Sequence, residues 1–437
     1  MSKVYFVDAN VGQQSKVCEY CGGKGCNRCG GTGRQYEITP PEPLPLALYR
    51  LLNKAGIADI IDENDKVAIK IHSGEHTNHR LTPPVLYEPI VKRVTELGGK
   101  PFITDTNTVY THSRYEGIGH YLTAWKNGYA LFHMGAPFIV ADGLVGTDAY
   151  PVQVEGDVLQ EVYVASAIYQ SDVLISVDHT TMHPAFGLGG NIKNLGMGAV
   201  SKQTKIQIHH HEIPYFDSTA CIGCGDCALV CPGEAIHMEN RKAVMDQSKC
   251  WGCRVCMEVC PNDAIKTVEG DMTHFFKGMA DACAAVLKRF PQKFLAINIV
   301  MDVTLDCDCP EQQGRPVVAD IGILGSKDIV AIDKASLDLI RSAPKYPLSV
   351  VADLPQDFDL TNLHRIPKEF SFEKVLEYME AKDWGTTEYD LIKLERHRAS
   401  LKERTKFSPE LGYFEKLRAQ TRKRLERKKA LTGKSKL

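Results

Sequence analysis

Two short segments, Lys66-Val-Ala-Ile-Lys-Ile-His72 and Pro101-Phe-Ile-Thr-Asp105, are almost entirely apolar in their middle. Runs of this kind are typical of strands that are buried on both faces of a parallel sheet. Between them, apolar residues recur at helical spacing from residue 85 to residue 97, and two glycines at 98–99 supply the end of a helix. A strand, a helix and a second strand in this order predict an α/β fold.

The same alternation continues outward in both directions. The sequence predicts strands at 3–9, 137–141, 173–177, 294–300 and 316–320, and helices near 44–56, near 272–289 and after Ser326, which could cap the last of them. The pattern is interrupted between about 215 and 268. We therefore predict one α/β domain with a mostly parallel sheet, in two parts at 1–214 and 269–370, with an insertion at 215–268.

The insertion contains eight cysteines in two copies of one spacing. They are Cys221, Cys224, Cys227 and Cys231 followed by proline, and then Cys250, Cys253, Cys256 and Cys260 followed by proline. Bacterial ferredoxins with two 4Fe-4S clusters have this spacing, and the fourth cysteine of each motif ligates the other cluster. The predicted ligand sets are therefore Cys221, Cys224, Cys227 and Cys260 for one cluster, and Cys250, Cys253, Cys256 and Cys231 for the other. Two structural zinc sites are the alternative, but zinc does not need the doubled Cys-Pro.

A second cysteine-rich stretch, at 18–33, is inserted after the first predicted strand. It contains two Cys-x-x-Cys knuckles, each followed by two glycines, with the cysteines at Cys18, Cys21, Cys26 and Cys29. Four closely spaced thiolates are typical of a closed structural zinc site. The stretch resembles one half of the cysteine-rich zinc domain of DnaJ-type chaperones, which implies a zinc knuckle and a contact surface rather than chaperone activity. A further iron–sulfur cluster and a redox-active dithiol are the alternatives.

Polar and thiol side chains gather where the predicted strands end. Open α/β sheets bind ligands outside the carboxyl ends of their strands. From this we predict a site built from Lys70, His72, Asp105, His179, Lys193, Cys307 and Cys309. Lys193, in the glycine-rich stretch 187–198, would hold an anionic ligand, and the two cysteines would be thiolates able to bind a metal. The alternatives are turn formers or helix caps for the polar residues, and ordinary loop thiols for the cysteines.

Charge is distributed unevenly along the chain. The net charge is −2, yet residues 391–437 carry 16 Lys/Arg against 5 Glu. We predict a basic helical tail at 371–437 that makes a salt-sensitive contact with an acidic partner, the alternative being a solvated helix that offsets the acidic body. Without a signal-peptide pattern or an apolar run of about 18 residues, we expect a cytoplasmic protein with no membrane contact. In that compartment the 15 cysteines argue for metal ligation rather than disulfides.

Several motifs, taken in order, resemble the iron–sulfur proteins of the domain of unknown function 362, in the subgroup with a built-in ferredoxin. These motifs lie at 67–75, 101–114, 141–143 and 189–198, in the ferredoxin repeat, and at 306–309 and 320–333. The resemblance implies an α/β domain that carries a ferredoxin, typically from anaerobic bacteria or archaea, with no settled reaction. The knuckle at 18–33 and the basic tail depart from the family pattern.

Three functions are compatible with these features. The leading hypothesis is an iron–sulfur redox protein, served by a redox partner protein, that passes electrons between two 4Fe-4S clusters and a small-molecule or metal site on the α/β domain. Such a protein would be an oxidoreductase, although the sequence leaves open whether it is an enzyme. The first alternative is a non-catalytic electron carrier or a scaffold for metallocentre maturation. The second is a nucleic-acid-associated or ribosome-associated protein, suggested by the zinc knuckle together with the basic tail.

Overall fold

The computed structural model describes residues 1–10, 13–27, 31–38, 42–210, 213–267, 272–355, 358, 360, 371–396, 400, 420–424 and 426. The chain divides into two compact units. The first comprises Met1–Ala9 and Leu48–Leu394, and the second comprises Asn10–Ala47 and Glu395–Leu437.

The strands and helices alternate along most of the chain. The strands are β1 (Ser2–Asp8), β2 (Gln13–Val17), β3 (Arg34–Ile38), β4 (Lys66–Lys70), β5 (Lys100–Asp105), β6 (Phe138–Val140), β7 (Ala149–Gln153), β8 (Glu161–Ala165), β9 (Val173–His179), β10 (Thr181–His183), β11 (Gly187–Gly189), β12 (Pro214–Phe216), β13 (Ile236–Glu239), β14 (Lys242–Met245), β15 (Ile265–Thr267), β16 (Phe294–Val300), β17 (Gly322–Ser326) and β18 (Tyr389–Lys393). The helices are α1 (Leu44–Lys54), α2 (Glu88–Glu96), α3 (Gly117–Lys126), α4 (Leu131–Met134), α5 (Ser166–Tyr169), α6 (Asn191–Gly196), α7 (Lys202–His209), α8 (Asp226–Leu229), α9 (Val255–Glu258), α10 (Thr273–Lys288), α11 (Ile329–Ser342) and α12 (Phe372–Ala381). Among these described helices, none is both long enough and apolar enough to span a bilayer.

The first unit is built on an eight-stranded sheet in the order β18-β1-β17-β16-β9-β4-β5-β6. β17 runs antiparallel to both of its neighbours, and every other pair in the sheet is parallel. The central strands β9 and β16 are buried along their whole length, as expected for strands covered on both faces. This arrangement confirms the predicted mixed α/β fold with a mostly parallel sheet.

Helices cover the sheet through their apolar faces. α11 packs against β16 and β17, α10 packs against α6, and α2 lies against β5. α10 buries eleven of its residues, from Phe275 to Val286, and this long apolar face anchors the largest core cluster. Because the parallel strands run in the same direction, their carboxyl ends lie at one edge of the sheet, where the loops of the candidate site lie.

One predicted strand is wrong. Residues 316–320 form a loop in which Val317 donates its backbone N–H to Val303 at 2.7 Å, and the sheet strand is instead β17. The sequence hides β17 because it contains two glycines. One of them, Gly325, is required by close packing, since a Cβ there would lie 2.5 Å from a methyl group of Leu51. The cap of α11 also lies two residues later than predicted. Asp328, rather than Ser326, accepts the first backbone N–H groups of this helix.

The segment at 371–437 is not helical throughout, contrary to the prediction. After α12 the chain forms β18, which pairs parallel with β1 at the edge of the sheet. The partly buried residues of β18, Tyr389 and Ile392, are three positions apart, a spacing that sequence alone does not distinguish from that of a helix. Most of the residues beyond 396 that carry the positive charge lie outside the described residues.

The cysteine-rich segment begins and ends on paired strands. β12 and β15 run antiparallel, and β13 and β14 form a hairpin between the two cysteine motifs. α8 and α9 occupy equivalent places in the two motifs, carrying Cys227 and Cys256 respectively. These two cysteines and two isoleucines, Ile236 and Ile265, form a small separate core. In the second unit, β2 and β3 pair antiparallel on either side of the knuckle at 18–33.

Candidate functional site

One cavity lies at the carboxyl ends of the parallel strands, with an empty volume of about 680 Å³ that includes its opening to solvent. The seven residues of the predicted site all line it: Lys70, His72, Asp105, His179, Lys193, Cys307 and Cys309. The register explains why they meet, because β4 pairs with β5 and β9 so that Lys70 lies opposite Thr104 and Ser176. The loop after β16 supplies the two cysteines.

A buried ion pair forms one wall of the cavity. The Lys70 ammonium lies 3.1 Å from Oδ1 of Asp105 and donates to Oδ1 of Asn194 at 2.7 Å. Asp105 also accepts two hydrogen bonds from Ser73, at 3.0 Å and 2.9 Å. Burial alone would raise the pKa of Asp105, but the Lys70 ammonium holds it well below its ordinary value. Lys70 is therefore occupied in a structural pair rather than available to a ligand.

A second cationic group, Arg114, is held in a similar way. Its guanidinium donates to Oε2 of Glu75 at 3.3 Å and to the Tyr110 hydroxyl at 2.6 Å. Lys205 on α7 donates to the Thr106 hydroxyl at 2.7 Å, and burial lowers its pKa to about 8. Sequence reasoning missed Lys205, because a single lysine on a polar helix carries no signal that it points into a cavity.

Two thiols and a lysine form the opposite wall. The Lys193 ammonium lies 3.3 Å from Sγ of Cys307 and 3.7 Å from Sγ of Cys309. Nε2 of His72 lies 3.3 Å from Sγ of Cys309. A hydrogen bond from Cys307, together with Lys193 and His72, holds the pKa of Cys309 well below its ordinary value in spite of burial. The pKa of Cys307 is raised by the same hydrogen bond and by burial, so the pair is a thiolate and a thiol.

The loop that carries the two thiols is fixed by the residue between them. Asp308 accepts a hydrogen bond from Nδ1 of His179 at 2.9 Å, while Nε2 of the same ring donates to the Met301 carbonyl at 2.8 Å. With both ring nitrogens donating, the imidazole is protonated. Burial lowers the pKa of His179, but Asp308 more than offsets this and raises it to about 9. His179 is therefore a positioning residue for the thiol loop.

The glycine-rich stretch at 187–198 forms β11 and α6 rather than an open anion-binding loop. Asp333 accepts the N–H groups of Asn191 and Ile192 at the start of α6, at 2.9 Å and 2.8 Å. A carboxylate of the protein thus fills the position that an anion would take. Lys193, on the same helix, points to the sulfur atoms, so its predicted role as an anion anchor becomes that of a counter-ion to the Cys309 thiolate.

Three thiols of the knuckle at 18–33 lie close enough together to hold a metal ion. Among the described residues, the ligand atoms that converge within 4.8 Å are those of Cys18, Cys21 and Cys26. Cys29, the fourth predicted ligand of the knuckle, lies outside the described residues. Cys307 and Cys309 do not form such a group with a third ligand within the described part of the chain, and the Lys193 ammonium lies beside both sulfurs.

The cysteine-rich segment 215–268 contains two smaller cavities of nearly equal size, with empty volumes of about 340 Å³ and 350 Å³. Each is lined by three cysteines of one motif and the fourth cysteine of the other motif. The first contains Cys250, Cys253, Cys256 and Cys231, and the second contains Cys221, Cys224, Cys227 and Cys260. Backbone N–H groups point at some of these sulfurs, as Ala235 does to Cys231 and Ala264 to Cys260, both at 3.3 Å.

Helix α9, which carries Cys256 of the second motif, borders an open cavity beside the two thiols. This wider, open cavity is lined by Cys307 and Cys309 on one side and by Glu258 of α9 on the other. His112, from the loop that also carries Tyr110, contacts Oε2 of Glu258 at 3.1 Å. The two thiols and helix α9 of the cysteine-rich segment therefore border the same open space.

A family model and a solved structure are similar to this chain. No curated protein matches the sequence. The structure of the lactate racemase apoprotein from Thermoanaerobacterium thermosaccharolyticum is similar at 13% identity and a TM-score of 0.34, over 62% of this chain and 54% of that protein. The chain thus spans about half of that neighbour. The model of the domain of unknown function DUF362 matches residues 67–338, which include the central strands, the thiol cavity and the cysteine-rich segment 215–268. The chain belongs to the DUF362 family.

Proposed function

We propose that the segment 215–268 binds two 4Fe-4S clusters through interlocked ligand sets. The support is the fit of the side chains, because each of the two cavities presents four thiols in the combination that bacterial two-cluster ferredoxins use. Gly252 has a positive φ of 67°, and its lack of a side chain lets the backbone turn so that its N–H approaches Cys250. Bound there, the clusters would each exchange one electron.

We propose further that the chain is an iron–sulfur redox protein whose electrons are exchanged with a ligand at the Cys307 and Cys309 thiols. The observation that carries this proposal is the open cavity that is bordered both by the two thiols and by Glu258, two residues after Cys256 in the second cysteine motif. A ferredoxin segment inserted into a domain keeps one fixed orientation toward that domain, which suits a dedicated site better than a freely diffusing carrier.

The two thiols have different roles, because the side chains around them differ. Cys309, charged and held between Lys193 and His72, is the nucleophilic group. Cys307 remains protonated and donates to it, so it can supply a proton to a leaving group. The substrate class is therefore a small electrophile that accepts electrons.

The experiment for this proposal compares anaerobically reduced wild-type protein with the double variant Cys307→Ser and Cys309→Ser. Small disulfides and other electrophilic acceptors are added, and reoxidation is followed by iron–sulfur absorbance. We expect the variant to keep its full iron content and to lose reoxidation, whereas Cys283→Ser, a buried cysteine of α10, behaves as wild type. Equal reoxidation rates in all three proteins would contradict the proposal. Transfer of metal to an apo-protein in place of electron transfer would favour a maturation scaffold.

Two further assignments complete the proposal. The knuckle binds one zinc ion through Cys18, Cys21, Cys26 and Cys29, since three of these thiols already converge.

The segment 391–437, with its excess of Lys and Arg, binds an acidic partner. In the full chain, the contact with this partner should be present at low salt and lost at high salt. Truncation after residue 404 should abolish it. If the same partners co-purify with and without the truncation, the positive charge is only a solvated surface.

A further inference from the structure

Helix α3 has its apolar and polar faces reversed. The side that faces the protein carries His120 and Thr123, which hydrogen-bond at 2.8 Å to the hydroxyls of Ser73 and Ser113 respectively. The side that faces solvent carries Ile118, Tyr121, Leu122 and Trp125, which are 62%, 45%, 48% and 53% exposed. A surface helix normally shows the opposite pattern. Burial of this outer face against a partner would remove apolar surface from water and so be favourable.

The four outer residues form one continuous stripe. Their spacing of i, i+3, i+4 and i+7 places them on the same side of the helix. The stripe extends past the start of α3, because the N–H of Gly117 donates to the Leu144 carbonyl at 2.7 Å, and Leu144 and Val145 are themselves exposed. α3 packs on β6, the last strand of the sheet order. A partner can thus approach the stripe from the side at which the sheet ends.

The exposed area is close to what one side of a stable interface needs. From their exposed fractions, the four stripe residues together with Leu144 and Val145 offer on the order of 600 Å², taking full areas of about 150–250 Å² for large side chains. A standard interface buries roughly 800 Å² from each partner, and the largest apolar patch of a monomer is commonly about 300–600 Å². The stripe can supply the apolar centre of an interface, with polar neighbours as its rim.

We propose that α3 forms the interface of a homodimer, packing against α3 of a second copy of this chain. Self-association fits the chemistry of the stripe, because an apolar strip without charged members is complementary to itself across a two-fold axis. Interfaces between permanent subunits are the more hydrophobic class, whereas transient redox partners usually bind through smaller and more polar surfaces. A membrane surface is a poorer match, since interfacial helices carry several Lys or Arg residues and α3 has only Lys126.

The test measures the mass of the full-length, anaerobically purified protein by sedimentation over a concentration series. We expect wild type to be a dimer, and Trp125→Glu to raise the dissociation constant on the order of 30-fold, as for an interface hot spot. The matched control is Val350→Glu, which places the same charge at a residue that is 80% exposed and far from α3 in sequence. Circular dichroism establishes that each variant is folded.

A second measurement does not depend on a charged variant. Dilution of wild-type protein should shift the tryptophan emission to the red as the dimer dissociates, and Trp125→Phe should remove that shift while leaving the dimer intact. A wild-type monomer at every concentration would overturn the proposal, including the case in which the monomer binds lipid vesicles. A dimer that survives Trp125→Glu and Leu122→Lys unchanged would also overturn it, because its interface would lie elsewhere.

Discussion

Replacing Lys193 by Met should move the reactivity of Cys309 to higher pH. The ammonium lies 3.7 Å from Sγ of Cys309, and two unit charges at that distance interact by about 4 kcal/mol at an effective dielectric constant of about 20. His72 and Cys307 remain in place, so only part of this energy is lost. A loss of only about 1.4 kcal/mol already lowers the thiolate population tenfold at any pH below the pKa.

The assay is the rate of iodoacetamide alkylation at Cys309 as a function of pH, read by mass spectrometry of the peptide that contains it. We expect the Lys193→Met profile to shift to higher pH and the rate on its acidic side to fall at least about tenfold. Lys205→Met is the control, because Lys205 lines the same cavity but bonds Thr106 rather than sulfur. If the Lys193→Met and wild-type profiles superimpose, the reasoning about the thiolate is refuted.

Three further predictions concern iron, zinc and pH. Fully reconstituted protein should contain about eight irons. The Cys227→Ala variant should lose one cluster and disturb the other, whereas Cys283→Ala should keep all the iron. Iron analysis giving four or fewer irons in wild type would count against two clusters. Cys18→Ser combined with Cys26→Ser should lose zinc and retain iron, and unchanged zinc on elemental analysis would exclude the knuckle as its site. The pKa of His179 is raised to about 9, so protonated His179 stabilises the folded protein fully below the ordinary histidine pKa near 6.5. This stabilisation is lost as the pH rises through about 9. The urea midpoint of unfolding should therefore fall over that pH window in wild type and not in His179→Gln.

The fold was largely predictable because its strands carry a strong signal. β4, β5, β9 and β16 are buried on both faces, and such strands are continuous apolar runs. β17 was missed because glycines required by close packing remove the apolar run. β18 was missed because it is an edge strand with exposed residues, which sequence periodicity does not separate from a helix.

The candidate site was predictable in its members but not in its chemistry. The rule that ligands bind at the carboxyl ends of strands was enough to collect Lys70, His179 and Cys309 from distant parts of the chain. It could not show how they pair, because pairing depends on side-chain directions that the sequence does not contain. Lys193 therefore changes from an anion anchor to the counter-ion of a thiolate, and His179 from a site residue to the support of the thiol loop.

The central claim is that electrons reach the thiol cavity from the cysteine-rich segment. In Cys307→Ser protein, Cys309 can be converted to a mixed disulfide with 5-thio-2-nitrobenzoate, confirmed by peptide mapping, and the protein can then be photoreduced without oxygen. Cleavage of that disulfide takes two electrons, breaks the sulfur–sulfur bond, and yields the Cys309 thiolate and one coloured thiolate. We expect one equivalent of coloured product, and none above background in protein that also carries Cys253→Ala. A mixed disulfide that persists while the iron–sulfur absorbance shows both clusters reduced would contradict it.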